Sequence, residues 1–161
     1  MTAALRELVG RVPDPEIPVL TIADLGVLRD VAVDAAGRVE VTVTPTYSGC
    51  PAMDAIRADI VAVLAAHGHP GAAVRTVLAP AWSTDWITPA GRAALAEYGI
   101  APPGTRPAGP VFVQIGRAEP VRCPRCGSAD TREISRFGST ACKSLHACAS
   151  CLEPFDHFKA I

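Results

Sequence analysis

Lysine is almost missing from this chain, with only Lys143 and Lys159 against 13 arginines, and aromatic residues make up just 5% of it. The arginine-for-lysine bias, together with abundant alanine, reads as genome composition. Net charge is nearly absent as well. At −1 it gives no whole-protein attraction to nucleic acid or to acidic lipid. No stretch approaches the ~18 uninterrupted apolar residues of a membrane span. Met1 to Leu8 contains an early acid, Glu7, and no apolar core ending in small residues, so a signal peptide is not expected and the location expected is cytoplasmic. The sequence also lacks G-x-S-x-G, a Walker loop, G-x-G-x-x-G and H-E-x-x-H, which removes the commonest hydrolase, nucleotide-binding and zinc-protease signatures.

What is present is enough for a folded protein: 161 residues, 49% hydrophobic. That length suits one modest domain plus a small one. The clearest boundary is Gly99-Ile-Ala-Pro-Pro-Gly-Thr-Arg-Pro-Ala-Gly-Pro110, with four prolines and three glycines in twelve residues. Residues 1–110 carry 8 basic and 11 acidic side chains, whereas 111–161 carry 7 and 5. The expected division is therefore a first domain over 1–99, a linker over 100–110 and a second domain over 111–161.

In the first domain Leu5, Leu8, Val9 and Val12 share one face of a short helix over 3–12. The prolines at 13, 15 and 18 then force an extended, turning segment. Val27–Val33 and Val39–Val43 alternate across Asp34-Ala-Ala-Gly37, which predicts a β-hairpin. A helix follows from Pro51 to about His67, with Met53, Ile56, Ile60, Val63 and Leu64 on one face, stopped by Gly68 and Pro70. Val74–Leu78 reads as a strand and Pro89–Tyr98 as a short helix. The economical fold class is α+β, a small mixed sheet with helices on one face, followed by a small C-terminal β-ribbon. In that ribbon, strands are expected at 111–115, 131–137 and near 153–158.

Five of the six cysteines fall in the last 39 residues. In a reducing compartment they read as metal ligands or reactive thiols, not disulfides. Cys123-Pro-Arg-Cys126 and Cys148-Ala-Ser-Cys151 are two C-x2-C pairs, whose thiolates can form the tetrahedron of a structural zinc site. The same four sulfurs could hold iron. A domain this poor in large apolar residues needs such a staple. Cys142 is a fifth cysteine where zinc needs four. It reads as a small buried hydrophobe, or as a cluster ligand or presented thiol whose thiolate Lys143 would favour.

Cys50, the lone cysteine of the first domain, falls just before Pro51 at the start of the long helix. With Pro51 at the first helical position, Cys50 takes the cap, where backbone N–H groups and the helix dipole should lower its pKa. Upstream, Asp14, Glu16 and Asp24 punctuate a proline-rich loop. They read as turn-capping carboxylates, or as the lining of a site shared with Cys50. His67 and His69 read as a helix cap. His146 and His157 are spare zinc ligands that four cysteines make unnecessary. Trp82 and Trp86 read as cover for the sheet, or as partner anchors if exposed.

Asp14-Pro-Glu-Ile-Pro…Asp24-Leu-Gly, followed by Thr-x-Thr and Gly49-Cys-Pro51, resembles the SufT-like domain family associated with iron–sulfur protein assembly. The ending, from Cys123-Pro-Arg-Cys-Gly-Ser through Phe137-Gly-Ser-Thr-Ala-Cys-Lys143 to Cys148-Ala-Ser-Cys-Leu-Glu-Pro-Phe-Asp-His-Phe-Lys159, resembles the zinc ribbon of the PaaD family. These motifs span nearly the whole chain. The resemblance implies an accessory, non-catalytic assembly factor of the phenylacetyl-CoA epoxidase system of phenylacetate catabolism. Its partners would be the reductase and oxygenase components and iron–sulfur assembly proteins, and its client the reductase with its plant-type ferredoxin centre. Carried over by position, Cys50 is the reactive thiol, Asp24 the motif acid, and Cys123, Cys126, Cys148 and Cys151 the zinc ligands. Cys142 lies in an element of unassigned role. One cysteine is an incomplete cage, so a transient iron–sulfur cluster would need external ligands, from a homodimer or a client complex. The competing expectation is a zinc-ribbon adaptor for protein or nucleic acid without cluster chemistry. The ribbon's net charge of +2 gives only a small phosphate footprint, though Arg117, Arg122, Arg125, Arg132 and Arg136 could form a local stripe.

Overall fold

The computed structural model describes residues 2–104 and 120–160. The strand expected at 111–115, and the expected linker from 105 onward, lie outside the described residues. Chain contacts divide into two units, 1–91 and 92–161.

The first unit opens with α1 (Thr2–Gly10). It stops two residues short of the expected end, because Pro13 approaches and Val12 turns back to donate its N–H to Val9. The Pro-rich loop that follows is a source of core: Ile17, Leu20, Ile22 and Leu25 are all buried. A bridge between Pro13 and Thr21 and a bond from Asp14 N–H to the Leu20 carbonyl close it on itself.

Strands β1 (Leu28–Val33) and β2 (Val39–Val43) form the expected antiparallel hairpin, with Val31 opposite Val41 and Val33 opposite Val39. Asp34 fixes its turn by accepting the Ala36 and Arg38 backbone N–H groups. Helix α2 (Ala52–Ala66) then crosses to β3 (Ala73–Thr76), which pairs parallel to β2 and completes a mixed sheet in the order β1-β2-β3. Leu5 and Val9 of α1 and Ile56, Ile60 and Leu64 of α2 recur every three or four residues. They meet the inward-facing valines of the sheet in a single apolar layer. A 3-10 turn at Thr84–Trp86 follows. Trp82 is buried and donates its indole N–H to the Leu25 carbonyl at 2.9 Å, while the Arg29 guanidinium lies 3.7 Å over the half-buried Trp86 ring. The two tryptophans thus clamp the loop to the first unit.

Helix α3 (Pro89–Tyr98) is followed by β4 (Ile100–Ala101), β5 (Thr131–Ser135), β6 (Lys143–Cys148) and β7 (Pro154–Phe158). The sheet order is β4-β7-β6-β5, with β6 antiparallel to both long neighbours and β4 parallel to β7. Here the structure departs from the expected linker. Ile100 and Ala101 are buried sheet residues, because two apolar side chains beside an open strand edge are better paired than solvated. Below the sheet, Ala101, Cys123, Cys148 and Phe155 form a small core against Val121 and Cys151.

Candidate functional site

The strongest constellation is in the second unit. The Sγ atoms of Cys123, Cys126, Cys148 and Cys151 lie within 4.8 Å of one another. Cys123 and Cys151 are 3.7 Å apart, and Cys126 and Cys148 3.5 Å. Tetrahedral zinc with ~2.3 Å bonds to sulfur requires edges of about 3.8 Å, so this is a zinc-sized cage.

Each C-x2-C pair is a tight knuckle. In the first, the Gly127 N–H returns to the Cys123 carbonyl at 2.9 Å. In the second, the Cys151 N–H points at the Cys148 sulfur at 3.5 Å. That N–H, helped by Ser150 and the neighbouring thiols against the cost of burial, holds the Cys148 thiol down at about 6. Cys126 goes the other way. A Ser128 N–H favours its thiolate, yet the adjoining sulfurs and burial push it up to about 12. Four such thiols cannot all ionise together without a cation, which is the condition a divalent metal satisfies. Zinc held here by Cys123, Cys126, Cys148 and Cys151 is structural, since no position is left for a substrate.

The structure explains the Phe137-Gly-Ser-Thr-Ala-Cys-Lys143 element by a buried ion pair. Lys143 Nζ, almost wholly buried, meets Asp156 Oδ2 at 3.3 Å, and Ser139 Oγ donates to the same oxygen. Gly138 leaves room for the pair, because a Cβ there would come within 2.7 Å of the other Asp156 oxygen and 3.2 Å of the Lys143 Cβ. Cys142 is buried, its Sγ 3.0 Å from Thr140 Oγ1 and its carbonyl accepting the Lys159 N–H. It sits at the opposite end of β6 from Cys148, roughly 20 Å of strand away, and is not gathered with the other four. The Lys143 charge expected to act on this thiol is engaged by Asp156. His146 and His157 are likewise apart from the sulfur cage and flank Ser144 Oγ at 3.0 and 3.4 Å. Burial, then the neighbouring His146, brings His157 down to about 4.

In the first unit, Pro51 itself occupies the cap position of α2, with helical φ −68° and ψ −21°. Cys50 lies one residue earlier. Its half-buried thiol is reached by the Ala52 N–H and the Thr46 side chain, and Glu16 and Asp14 stand within electrostatic range. The expected pKa depression does not occur. Burial pushes the Cys50 thiol up, and the two carboxylates add to it, outweighing the helix N–H.

Of the three loop acids, Asp14 and Glu16 therefore share surroundings with Cys50. Asp14 also caps its own turn by accepting the Glu16 and Ile17 N–H groups at 2.9 and 2.7 Å. Asp24 is engaged elsewhere. It accepts from the Thr21 N–H and hydroxyl and from the Thr88 hydroxyl, and its backbone packs on Gly91. One threonine joins this site without having been named for it: Thr46 touches the thiol, and two residues earlier Thr44 is buried with its hydroxyl unpartnered among the described residues. The Thr-x-Thr element just upstream of Gly49-Cys50 is the signal that could have found it. His67 caps the α2 terminus, as expected, with Nδ1 2.8 Å from the Val63 carbonyl.

Comparison with known proteins follows the same division. Residues 2–79 match the family model described as an iron–sulfur cluster assembly protein, and residues 107–159 match the PaaD zinc beta ribbon domain. An Escherichia coli (strain K12) protein, named as one subunit of a "Putative 1,2-phenylacetyl-CoA epoxidase", is 49% identical over 154 residues, covering 96% of this chain and 90% of that one. An "Fe-S protein maturation auxiliary factor" of Porphyromonas gingivalis is 40% identical over 76 residues, 47% of this chain and 71% of its own length. A crystal structure of a DUF59 domain from Bacillus anthracis, 30% identical, superposes with a TM-score of 0.53 over 58% of this chain and 90% of that chain. With the thiol-bearing α+β unit and the four-cysteine ribbon joined in this order, the chain belongs to the PaaD family.

Proposed function

We propose that the protein is a non-catalytic, cytoplasmic accessory factor of a phenylacetyl-CoA epoxidase system that helps build or maintain the iron–sulfur cluster of the reductase component. The observation that carries this reading is the Cys50 environment. A single thiol, kept protonated by burial and by Glu16 and Asp14, sits at the mouth of α2. A thiol in that state is quiet toward adventitious oxidation, yet it can exchange its proton for a soft metal. The adjacent carboxylates repel a thiolate but attract a cation, so iron is favoured over a bare proton loss. Iron or a cluster is cargo here, and Cys50 supplies one ligand of the several a cluster needs. The remainder come from the client or from an iron–sulfur assembly protein. The ribbon zinc is a staple and takes no part in the transfer.

The test is maturation of the apo-reductase under anaerobic conditions, with this chain preloaded with iron and sulfide. Wild type should restore the reductase's visible absorbance, and Cys50→Ser should slow restoration at least tenfold while keeping its zinc. Equal maturation by the serine variant would overturn the thiol role and leave the ribbon-adaptor reading. Glu16→Gln gives a finer readout. Relieving one carboxylate should lower the Cys50 pKa and so raise its alkylation rate at pH 8.

A further inference from the structure

Strand β5 ends its sheet among the described residues, and its middle residues, Arg132, Glu133 and Ile134, are exposed. Ile134 sits at an irregularity in the β5–β6 pairing, between Glu133 and Ser135, and has 49% of its surface in solvent. Three residues on, Phe137 is 68% exposed. Its ring is not loose: the Lys159 ammonium lies 4.8 Å from the ring centroid and donates to the Arg136 carbonyl at 3.1 Å. Arg132 and Arg136 bracket Ile134 along the strand, and neither guanidinium makes an ion pair among the described residues.

An exposed Phe held in place by a cation, beside an exposed Ile and two arginines, has the aromatic and arginine content enriched at protein–protein interfaces. The Phe137-Gly-Ser-Thr-Ala-Cys-Lys143 element, whose interior half is explained by the Lys143–Asp156 pair, presents Phe137 on its outer half.

We infer that this patch (Arg132, Ile134, Arg136, Phe137 and Lys159) is the docking surface of the ribbon for an acidic protein surface with an apolar centre, namely that of the cluster-receiving client. The inference rests on the reading that the chain serves a protein client. Charge selects the occupant. With three cations and Glu133 among them, the patch is too weak for a phosphate backbone but suits a few carboxylates around an apolar contact. The bulge denies a continuous ladder to an added strand, so recognition is by side chains. The charged rim sets the salt dependence and the apolar pair the residence time.

The experiment is calorimetric or anisotropy titration of the full zinc-loaded chain against the apo-reductase at 50 and 300 mM salt. Phe137→Ala and the double variant Arg132→Glu, Arg136→Glu should each weaken binding at least tenfold while retaining one zinc per chain. Wild-type affinity should fall with salt, and that fall should flatten in the double variant. Patch variants that bind normally, or a wild-type chain that does not bind, would overturn the proposal. So would patch-dependent binding of a 20-base-pair duplex in place of the reductase, or a wild-type self-association abolished by Phe137→Ala. Normal cluster content of the reductase in cells lacking this chain, with patch-dependent binding intact, would instead count against the maturation reading alone.

Discussion

The two units of this chain solve the same stability problem by different means. Of the twelve largest side chains with under 2% exposure, ten lie in residues 1–91, and only Leu95 and Phe158 belong to the second unit. The first unit is held by an apolar layer between two helices and a mixed sheet. In the second, Cys123 and Cys148 are half of the small core under the sheet, so the ligands of the metal are also the hydrophobic interior. One unit can fold by burial alone. The other buries few large side chains beyond Leu95, Ile100, Phe155 and Phe158, and its thiolates must be neutralised before the rest of its core can close.

The sharpest way to break that contrast is to remove the metal. Structural zinc in such small domains contributes about 10–16 kcal/mol, more than a ribbon of this size gains otherwise. Chelation at pH 7, or Cys148→Ser, should abolish amide protection across β5, β6 and β7 and leave that of β1, β2 and α2 intact by hydrogen exchange. Ribbon amides that stay protected after one zinc is released would show that the sheet stands without its staple. The converse perturbation is Leu64→Ala. Leu64 is fully buried in α2, and truncation should cost the first unit about 2–5 kcal/mol in denaturant unfolding. Zinc content should not change.

Acid separates the units more gently. His157 titrates near 4 when folded against 6.5 when free, so between those values the unfolded ribbon binds the extra proton. Stability from this group is therefore present above pH 6.5 and is lost as pH falls toward 4. The loss should be about 1 kcal/mol by pH 5.5, a range chosen to precede gross zinc release. His157→Phe should flatten that part of the ribbon's stability profile and leave the first unit's profile unchanged. An unaltered slope would mean that His157 is protonated in the folded ribbon.

Much of this architecture is written locally, and that is why the sequence discloses it. The hairpin follows from alternating valines around Asp34 and Gly37, α2 from its three-and-four spacing, and the sulfur cage from two C-x2-C pairs. The failures share a different cause. Cys50 sits near a helix start, which lowers a thiol pKa, yet burial, with Glu16 and Asp14 more than thirty residues upstream adding to it, reverses the sign. No local pattern encodes that meeting. Asp24 caps its own turn through Thr21, as a carboxylate in a proline-rich loop suggests, but it also accepts from Thr88, 64 positions away, which no local pattern encodes. Ile100 and Ala101 are embedded in a connector composition, and only their pairing with β7 shows them to be sheet. Cys142 and Lys143 are adjacent in sequence, which suggests mutual influence, whereas the fold turns the ammonium to Asp156.

The smallest effect compares the two halves of the cage itself. Gly127 and Leu152 each follow the second cysteine of a knuckle and adopt the same left-handed turn, with φ of +74° and +64°. Gly127 has nothing within 4 Å of where a Cβ would stand, so its requirement is conformational and not steric. Leu152 meets the same backbone demand with a branched side chain that is 82% exposed, a conformation costing an L-residue about 1–2 kcal/mol. Leu152→Gly relieves that strain but gives the unfolded chain about 0.5–1 kcal/mol more entropy to lose. The expected net result is a stabilisation of about 0.5 kcal/mol, read as a slightly higher midpoint of ribbon unfolding at fixed free zinc. Gly127→Ala should move the same midpoint down by about 1 kcal/mol. Opposite signs at the two positions would establish that the knuckles are conformational equivalents and that the second tolerates its leucine at a cost. A midpoint lowered by Leu152→Gly would mean instead that the exposed side chain itself stabilises the turn.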